Sequence, residues 1–86
     1  MYYVYILQSK KDKLFYTGFT KDLKRRIEEH DEGRQFSTKD RRPFELIYYE
    51  SCLNKEDAVA REKYLKSGKG KKYLKNRLKY YLVNLE

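Results

Sequence analysis

A run of aromatic and β-branched side chains at the N-terminus limits the folds open to this chain more than any other feature. Residues 2–8 read Tyr-Tyr-Val-Tyr-Ile-Leu-Gln, a composition typical of a β-strand. A polar turn at residues 9–13 follows, and a second, short strand is predicted over residues 14–18. Two strands separated by so few residues form a hairpin, so the sheet is expected to begin as an antiparallel one.

The middle of the chain is predicted to form a helix and a third strand. Thr20 is the expected N-cap of the helix, with Asp22 in its first turn, where a negative charge suits the helix dipole. Gly33 marks the expected exit of the helix. Beyond a polar loop closed by Pro43, residues 44–50 read Phe-Glu-Leu-Ile-Tyr-Tyr-Glu, which predicts the third strand.

The last third of the chain is predicted to be helical. Asn54 is the expected N-cap of a second helix to about residue 66, and Ser-Gly-Lys-Gly at 67–70 is expected to break it. A third helix is predicted over about 71–81, within a basic C-terminal segment of about 69–82. This order of elements is not the alternation of a parallel sheet. It predicts an α+β fold, a three-stranded, largely antiparallel sheet flanked by about three helices, in one domain over residues 1–86.

The charge of the chain is distributed unevenly. Lys and Arg total 21 against 13 Asp and Glu, a formal charge of +8. After Glu62 the next acidic residue is the terminal Glu86. The basic residues between these two acids are Lys63, Lys66, Lys69, Lys71, Lys72, Lys75, Arg77 and Lys79. Such a run favours a polyanionic partner, with nucleic acid ahead of a membrane surface, although a solvated helix that only aids solubility would have the same composition.

The cysteine content and the N-terminal run indicate the cellular compartment. Cys52 is the only cysteine, so no disulfide can form within the chain, and a reducing cytoplasm is the expected compartment. The N-terminal run is too short for the hydrophobic region of a signal peptide, and no segment is long enough to span a bilayer. We therefore expect a soluble cytoplasmic protein with no membrane partner.

The first two predicted helices carry ionisable residues on their apolar stripes. Leu23 and Ile27 define the stripe of the first helix, on which His30 falls one turn beyond Ile27. Arg26 lies at the edge of that stripe, and Glu62 projects from the stripe of the second helix. A buried charge is costly unless it is paired, hydrogen-bonded or bound to a metal, so these residues are candidates for a site.

Each of these three residues also has a plainer explanation. His30 could offset the dipole at the end of its helix. Glu62 could pair with Arg61, with Lys66 or with a residue of a neighbouring strand, and Arg26 could extend its charged end to water along its aliphatic stem. The three residues together are harder to explain in this way than each one alone.

Two tyrosines lie on the predicted hairpin. Tyr5 and Tyr16 are spaced so that they can be cross-strand neighbours on one face of the sheet. Direct pairing would leave Lys10-Lys11 as a two-residue turn, a poor sequence for one, so a bulge or longer loop is expected and the register stays open. Tyrosine in a sheet is ordinarily a packing residue, and the strand pattern alone gives neither ring a function.

In order along the chain, these segments resemble the motifs of the GIY-YIG nuclease superfamily. The similar stretches are Tyr3-Val4-Tyr5, Tyr16-Thr17-Gly18, Leu23-Lys24-Arg25-Arg26 with His30, and Arg61-Glu62-Lys63. A particular likeness to small stand-alone bacterial members runs through residues 16–23, 42–50 and 60–66. The resemblance covers nearly the whole chain. Its first motif departs from the family pattern because no glycine stands between Tyr3 and Tyr5.

The resemblance implies a catalytic role for five residues. Tyr5 and Tyr16 correspond to the tyrosines of the first two motifs, Arg26 to the catalytic arginine, His30 to the histidine one turn on, and Glu62 to the metal-binding glutamate. The family also has a polar residue near the end of the domain, often asparagine. Asn76 lies at about the right distance, although the spacing there is loose.

The implied activity is that of a metal-dependent endonuclease that hydrolyses phosphodiester bonds in DNA, with Mg²⁺ or Mn²⁺ held by Glu62. Larger family members add a DNA-binding domain, which we do not expect in this chain. Binding would then rest on basic residues that contact phosphates, namely Arg25, Arg34, Arg41, Arg42, Lys69, Lys71, Lys72 and Lys75. Because phosphate contacts do not read bases, we expect a preference for nucleic-acid structure, or weak selectivity.

Three other interpretations are open at this point. The chain could be a non-catalytic nucleic-acid-binding protein that retains the nuclease fold. It could be a small basic RNA-binding protein whose tyrosines stack on bases. It could also be a subunit that is active only when a protein partner presents the substrate.

Overall fold

The structure, a computed structural model, describes residues 1–84, so the last two residues of the expected 1–86 domain lie outside it. The strands are β1 (Tyr2–Ser9), β2 (Phe15–Thr20) and β3 (Phe44–Cys52). The helices are α1 (Leu23–Asp31), α2 (Lys55–Lys66), α3 (Gly68–Arg77) and α4 (Lys79–Val83), and a 3₁₀ turn at Lys39–Arg41 precedes β3. The strands pair antiparallel throughout, which confirms the predicted α+β fold.

The first strand of the chain is the central strand of the sheet. The strand order is β2-β1-β3, so β1 pairs on both sides, and it is buried from Val4 to Ser9. Successive side chains of a strand face opposite sides of the sheet. Val4 and Ile6 join the apolar core with Ala58, Leu65 and Leu74 of α2 and α3. The intervening Tyr5 therefore faces away from that core.

The ladder between β1 and β2 settles the register of the two tyrosines. Tyr5 pairs with Gly18, and Tyr16 pairs with Leu7. Tyr16 is thus two residues from the partner of Tyr5, which places both rings on one face as diagonal neighbours, with ring centroids 6.4 Å apart. The prediction of one shared face is confirmed, and so is the expectation of a turn longer than two residues.

The first helix starts later than predicted. Its N-cap is Asp22, whose carboxylate accepts a hydrogen bond from the backbone N–H of Arg25. Thr20 is instead the last residue of β2, and its hydroxyl bonds to the backbone of Asp22 within the connecting turn. The predicted exit is confirmed, because Gly33 has a φ of +75°, a conformation that glycine adopts without strain.

The end of the chain differs from the prediction in two respects. Asn54 caps α2, and α2 ends at Lys66 as predicted; however, Ser67 also caps α3, so the break is a single residue and residues 68–70 already belong to the next helix. Gly70 is buried against the end of α2. A β-carbon at this position would lie 2.5 Å from Cα of Leu65, so the glycine allows α2 and α3 to pack closely. The single helix predicted near 71–81 is divided between α3 and α4 at Leu78.

Within residues 1–84, no helix is both long enough and apolar enough to cross a membrane.

Candidate active site

A cleft of about 690 Å³ lies beside β2 and is lined from both faces of that strand. Four of the five predicted catalytic residues are part of its lining: Tyr5, Tyr16, Arg26 and Glu62. They come from four elements, β1, β2, α1 and α2. The fold therefore brings together residues that lie far apart along the chain.

The fifth predicted residue, His30, lies directly behind Tyr5. Its Nε2 is 2.9 Å from the Tyr5 hydroxyl, and its Nδ1 is 2.7 Å from Oγ1 of Thr38. All three residues are buried. The ring also lies 5.1 Å, centroid to centroid, from that of Tyr16, in an edge-on arrangement. His30 is thus a buried support for both tyrosines, which replaces the simpler explanation of a histidine that compensates the helix dipole.

The hydrogen bonds around His30 favour one tautomer of its neutral ring. Arg26 donates a hydrogen bond to the Tyr5 oxygen, so we assign the Tyr5 hydroxyl as the donor to Nε2 of His30 and Nδ1–H as the donor to Oγ1 of Thr38. In this tautomer Nε2 has no proton and accepts the hydrogen bond that the Tyr5 hydroxyl donates. Burial, and secondarily the charge of Arg26, lower the pKa of His30, which keeps the ring neutral at neutral pH.

Tyr5 resists ionisation in this setting. Burial, together with the neighbouring Tyr16, raises the pKa of Tyr5 to about 12. A bond to the Arg26 guanidinium opposes that shift without reversing it. Tyr5 is therefore a phenol at neutral pH, and its proton can leave only if additional positive charge comes close to the oxygen.

Arg26 is held in place by a carboxylate on its own helix. Nε of Arg26 donates to Glu29 at 3.1 Å, and the same carboxylate pairs with Arg25 at 3.5 Å. The side-chain amide of Gln35 also donates to Glu29, at 3.2 Å. A guanidinium fixed in this way presents its remaining N–H groups to the cleft, where they can hold phosphate oxygens.

Glu62 is the carboxylate in the cleft that has no structural task within its own helix. Asp22 caps α1 and Glu29 binds two arginines, whereas Glu62 pairs, within residues 1–84, with the exposed Lys66 alone, at 3.4 Å. No group of three or more His, Cys, Asp or Glu side chains suited to a metal occurs in residues 1–84. A single hard oxygen ligand fits Mg²⁺ or Mn²⁺, provided that water and a phosphate oxygen complete the coordination shell.

Sequence reasoning missed several residues of this site. Lys21 and Lys55 line the cleft and add positive charge, and Glu29 and Thr38 hold Arg26 and His30. The spacing of Arg25, Arg26 and Glu29 on one helix was a signal for the ion pairs. No sequence pattern indicated Thr38, because it contacts His30 through an irregular loop.

The predicted phosphate contacts fall into two groups. All four arginines make internal contacts: Arg25 pairs with Glu29 at 3.5 Å, Arg34 with Glu32 at 3.1 Å and Arg41 with Asp12 at 2.7 Å, and Arg42 donates to two backbone oxygens. Of these four, Arg25 lies in the lining of the cleft, and the second group is formed by the exposed lysines of α3, Lys69, Lys71, Lys72 and Lys75. Their contact with phosphate stays a prediction.

A basic groove, defined here by Lys13, Lys66, Lys71 and Lys75, continues from the cleft along β2. Its first part shares Tyr16 with the cleft and is lined by Lys66 and Lys71. Its second part shares Lys71 with the first and adds Lys13 and Lys75. Asn76 is exposed on α3 and is not among the described residues that line the cleft.

Comparisons with known proteins agree with this geometry. The sequence model of the GIY-YIG catalytic domain matches residues 1–79. A UPF0213 protein of Clostridium perfringens is 45% identical over 67 residues, which cover 77% of this chain and 71% of that protein. A UPF0213 protein of Bacillus subtilis is 39% identical over 66 residues, or 76% of this chain and 66% of that protein.

A solved structure is similar in fold as well as in sequence. The solution NMR structure of a UPF0213 protein from Bacillus halodurans matches with a TM-score of 0.54 and 40% identity, over 86% of this chain and 82% of that one. The family model, the relatives and the arrangement of the cleft all agree, and the chain belongs to the GIY-YIG family.

Proposed function

We propose that this protein is a metal-dependent endonuclease that hydrolyses phosphodiester bonds in DNA. The observation that carries the proposal is the convergence of Tyr5, Tyr16, Arg26 and Glu62 on one cleft, with neutral His30 bonded to the back of Tyr5. The GIY-YIG domain supports a nuclease-type activity for this arrangement.

Each side chain has a task in the proposed reaction. Arg26 binds two oxygens of the scissile phosphate and stabilises the charge that develops on them. A divalent cation held by Glu62 would act as a Lewis acid on the phosphate and the leaving oxygen. Tyr16 orients the attacking water beside Tyr5, since the two rings are neighbours on one face.

Proton transfer in the proposed reaction uses the bond between Tyr5 and His30. As water attacks phosphorus, its proton passes to the Tyr5 oxygen, and the Tyr5 proton passes to Nε2 of His30. The neutral state of His30 supports this direction of transfer. Because the pKa of Tyr5 is high, the step requires additional positive charge near its oxygen, which the divalent cation would supply and the anionic substrate would not.

The rest of the cleft and the basic groove would bind the nucleic-acid backbone. Lys21, Arg25 and Lys55 surround the candidate centre, and the groove extends away from Tyr16. Such contacts are independent of sequence, so we propose a preference for nucleic-acid structure or weak selectivity.

The test is cleavage of labelled duplex, single-stranded and branched DNA, and of RNA, in Mg²⁺, in Mn²⁺ and in chelator. Glu62→Gln is expected to abolish cleavage and Arg26→Ala to lower it by about 10²–10³-fold, and both variants should retain binding. The matched control is Glu56→Gln, which removes an exposed carboxylate of the same helix and should leave cleavage unchanged. Binding without cleavage on every substrate would favour the non-catalytic alternative, or a subunit that awaits a protein partner.

A further inference from the structure

Phe36 is an aromatic side chain for which the fold provides no packing. It is 86% exposed, the highest value among the large apolar residues that the structure describes. The ring makes a cation–π contact with Lys39, whose Nζ lies 5.0 Å from the ring centroid. Burial in the core does not explain this ring, because the apolar core is formed by β1, α2 and α3.

The loop around Phe36 is fixed to the candidate active site on both sides. Gln35 donates to Glu29, the residue that holds Arg26. Ser37 donates to the hydroxyl of Tyr16 at 3.5 Å, and buried Thr38 is bonded to His30. Phe36 lies between these anchors, so its backbone is held at the rim of the cleft, one residue from a contact with Tyr16.

The surroundings of the ring suit a nucleobase better than a protein surface. Residues 34–42 read Arg-Gln-Phe-Ser-Thr-Lys-Asp-Arg-Arg, in which Phe36 is the only large apolar side chain. A protein interface would present several neighbouring apolar residues. One flat ring among cations fits a base on its face and a phosphate at Lys39 or Arg34.

We propose that Phe36 stacks on an unpaired base next to the phosphate bound in the cleft. This inference rests on the proposed function and deepens it, because it names the substrate class: nucleic acid with an unstacked nucleotide at a gap, flap or branch point. A fully paired duplex offers no free base face to the ring, so Phe36 would add little to its binding.

The test measures binding in chelator, where no cleavage occurs, to a paired duplex and to a duplex of equal length with a short gap. Phe36→Ala is expected to weaken binding to the gapped duplex by roughly tenfold and to leave the paired duplex nearly unchanged. Tyr80→Ala is the matched control, because Tyr80 is 76% exposed and also has a lysine over its ring, yet belongs to α4.

A spectroscopic measurement reports stacking itself. The chain has no tryptophan, so Phe36→Trp introduces a single indole reporter. Its fluorescence should be quenched by the gapped duplex and much less by the paired one. Absence of quenching, equal losses on both duplexes in Phe36→Ala, or an equal loss in Tyr80→Ala would overturn the inference and leave the nuclease proposal standing. Failure of the unaltered protein to bind any nucleic acid would overturn both.

Discussion

Gly18 lies opposite Tyr5 in the ladder between β1 and β2, so close that a β-carbon at position 18 would come within 2.5 Å of Cζ of the Tyr5 ring. The glycine of the second motif thus has a structural reason. Because Gly18 has no side chain, the end of the Tyr5 ring can occupy that space while its hydroxyl is hydrogen-bonded to His30.

Gly18→Ala should therefore damage both stability and activity. The Tyr5 ring is buried and cannot move without disturbing its neighbours, so the free energy of unfolding should fall by about 1–3 kcal/mol. The proposed cleavage should fall more than tenfold, since the hydroxyl is displaced. Urea denaturation and a cleavage assay measure the two effects. Gly68→Ala is the control, because a β-carbon there meets nothing within 4 Å; equal losses in both variants would contradict the explanation.

The pH dependence of stability should reveal His30, the only histidine of the chain. The folded state lowers the pKa of His30 below its ordinary value of 6.5, so the unfolded chain binds more protons there. The free energy of unfolding should thus fall as the pH drops below about 6.5, with a slope of at most about 1.4 kcal/mol per pH unit.

The variant His30→Gln should lack this slope between about pH 7 and pH 5.5 when unfolding is followed in urea. Carboxylates with lowered pKa values, such as Glu50 beside Arg61, lose their contribution only at lower pH. An unchanged slope in the variant would show that another group titrates in this range.

The bond between Glu29 and Arg26 predicts a change in rate without a matching change in affinity. Glu29→Gln keeps the shape of the side chain and removes the charge that fixes the guanidinium, so cleavage should fall by roughly tenfold. Arg26→Ala should lower it by about 10²–10³-fold. Single-turnover rates and DNA affinities separate the two quantities. Glu28→Gln, an exposed neighbour on α1, should match the unaltered protein; a similar loss there would contradict the role of Glu29.

A second ion pair anchors the helix that carries Glu62. Arg61 donates to both carboxylate oxygens of Glu50, at 2.8 and 2.9 Å, and links α2 to β3. Both side chains are partly exposed, so a double-mutant cycle of Glu50→Gln and Arg61→Met should give a coupling free energy of about 1 kcal/mol. Because Glu62 is the next residue, both variants should also need more Mg²⁺ for half-maximal cleavage. Strict additivity in unfolding experiments would contradict the coupling.

The sequence predicted those features that arise from local pattern. The aromatic strand, the hairpin and the helix carrying Arg26 and His30 all follow from periodicity and turn residues. The predicted break after Lys66 is present, but Gly70 lies in the first turn of α3 and not in the break, because its role depends on how closely α3 approaches the end of α2, a tertiary property. The bond between Thr38 and His30 was missed for a similar reason, since an irregular loop has no period from which a contact can be read.

The order in which the site residues occur along the chain has a consequence for biosynthesis. The hairpin with β2 can form early on the ribosome, but β3 and then α2, with Glu62, are made much later. If the protein cuts DNA as proposed, a nascent or prematurely terminated chain that ends before α2 has its tyrosines and its arginine but no ligand for a metal. Completion of translation itself would then control when the enzyme becomes active, and abandoned fragments would be harmless to the genome.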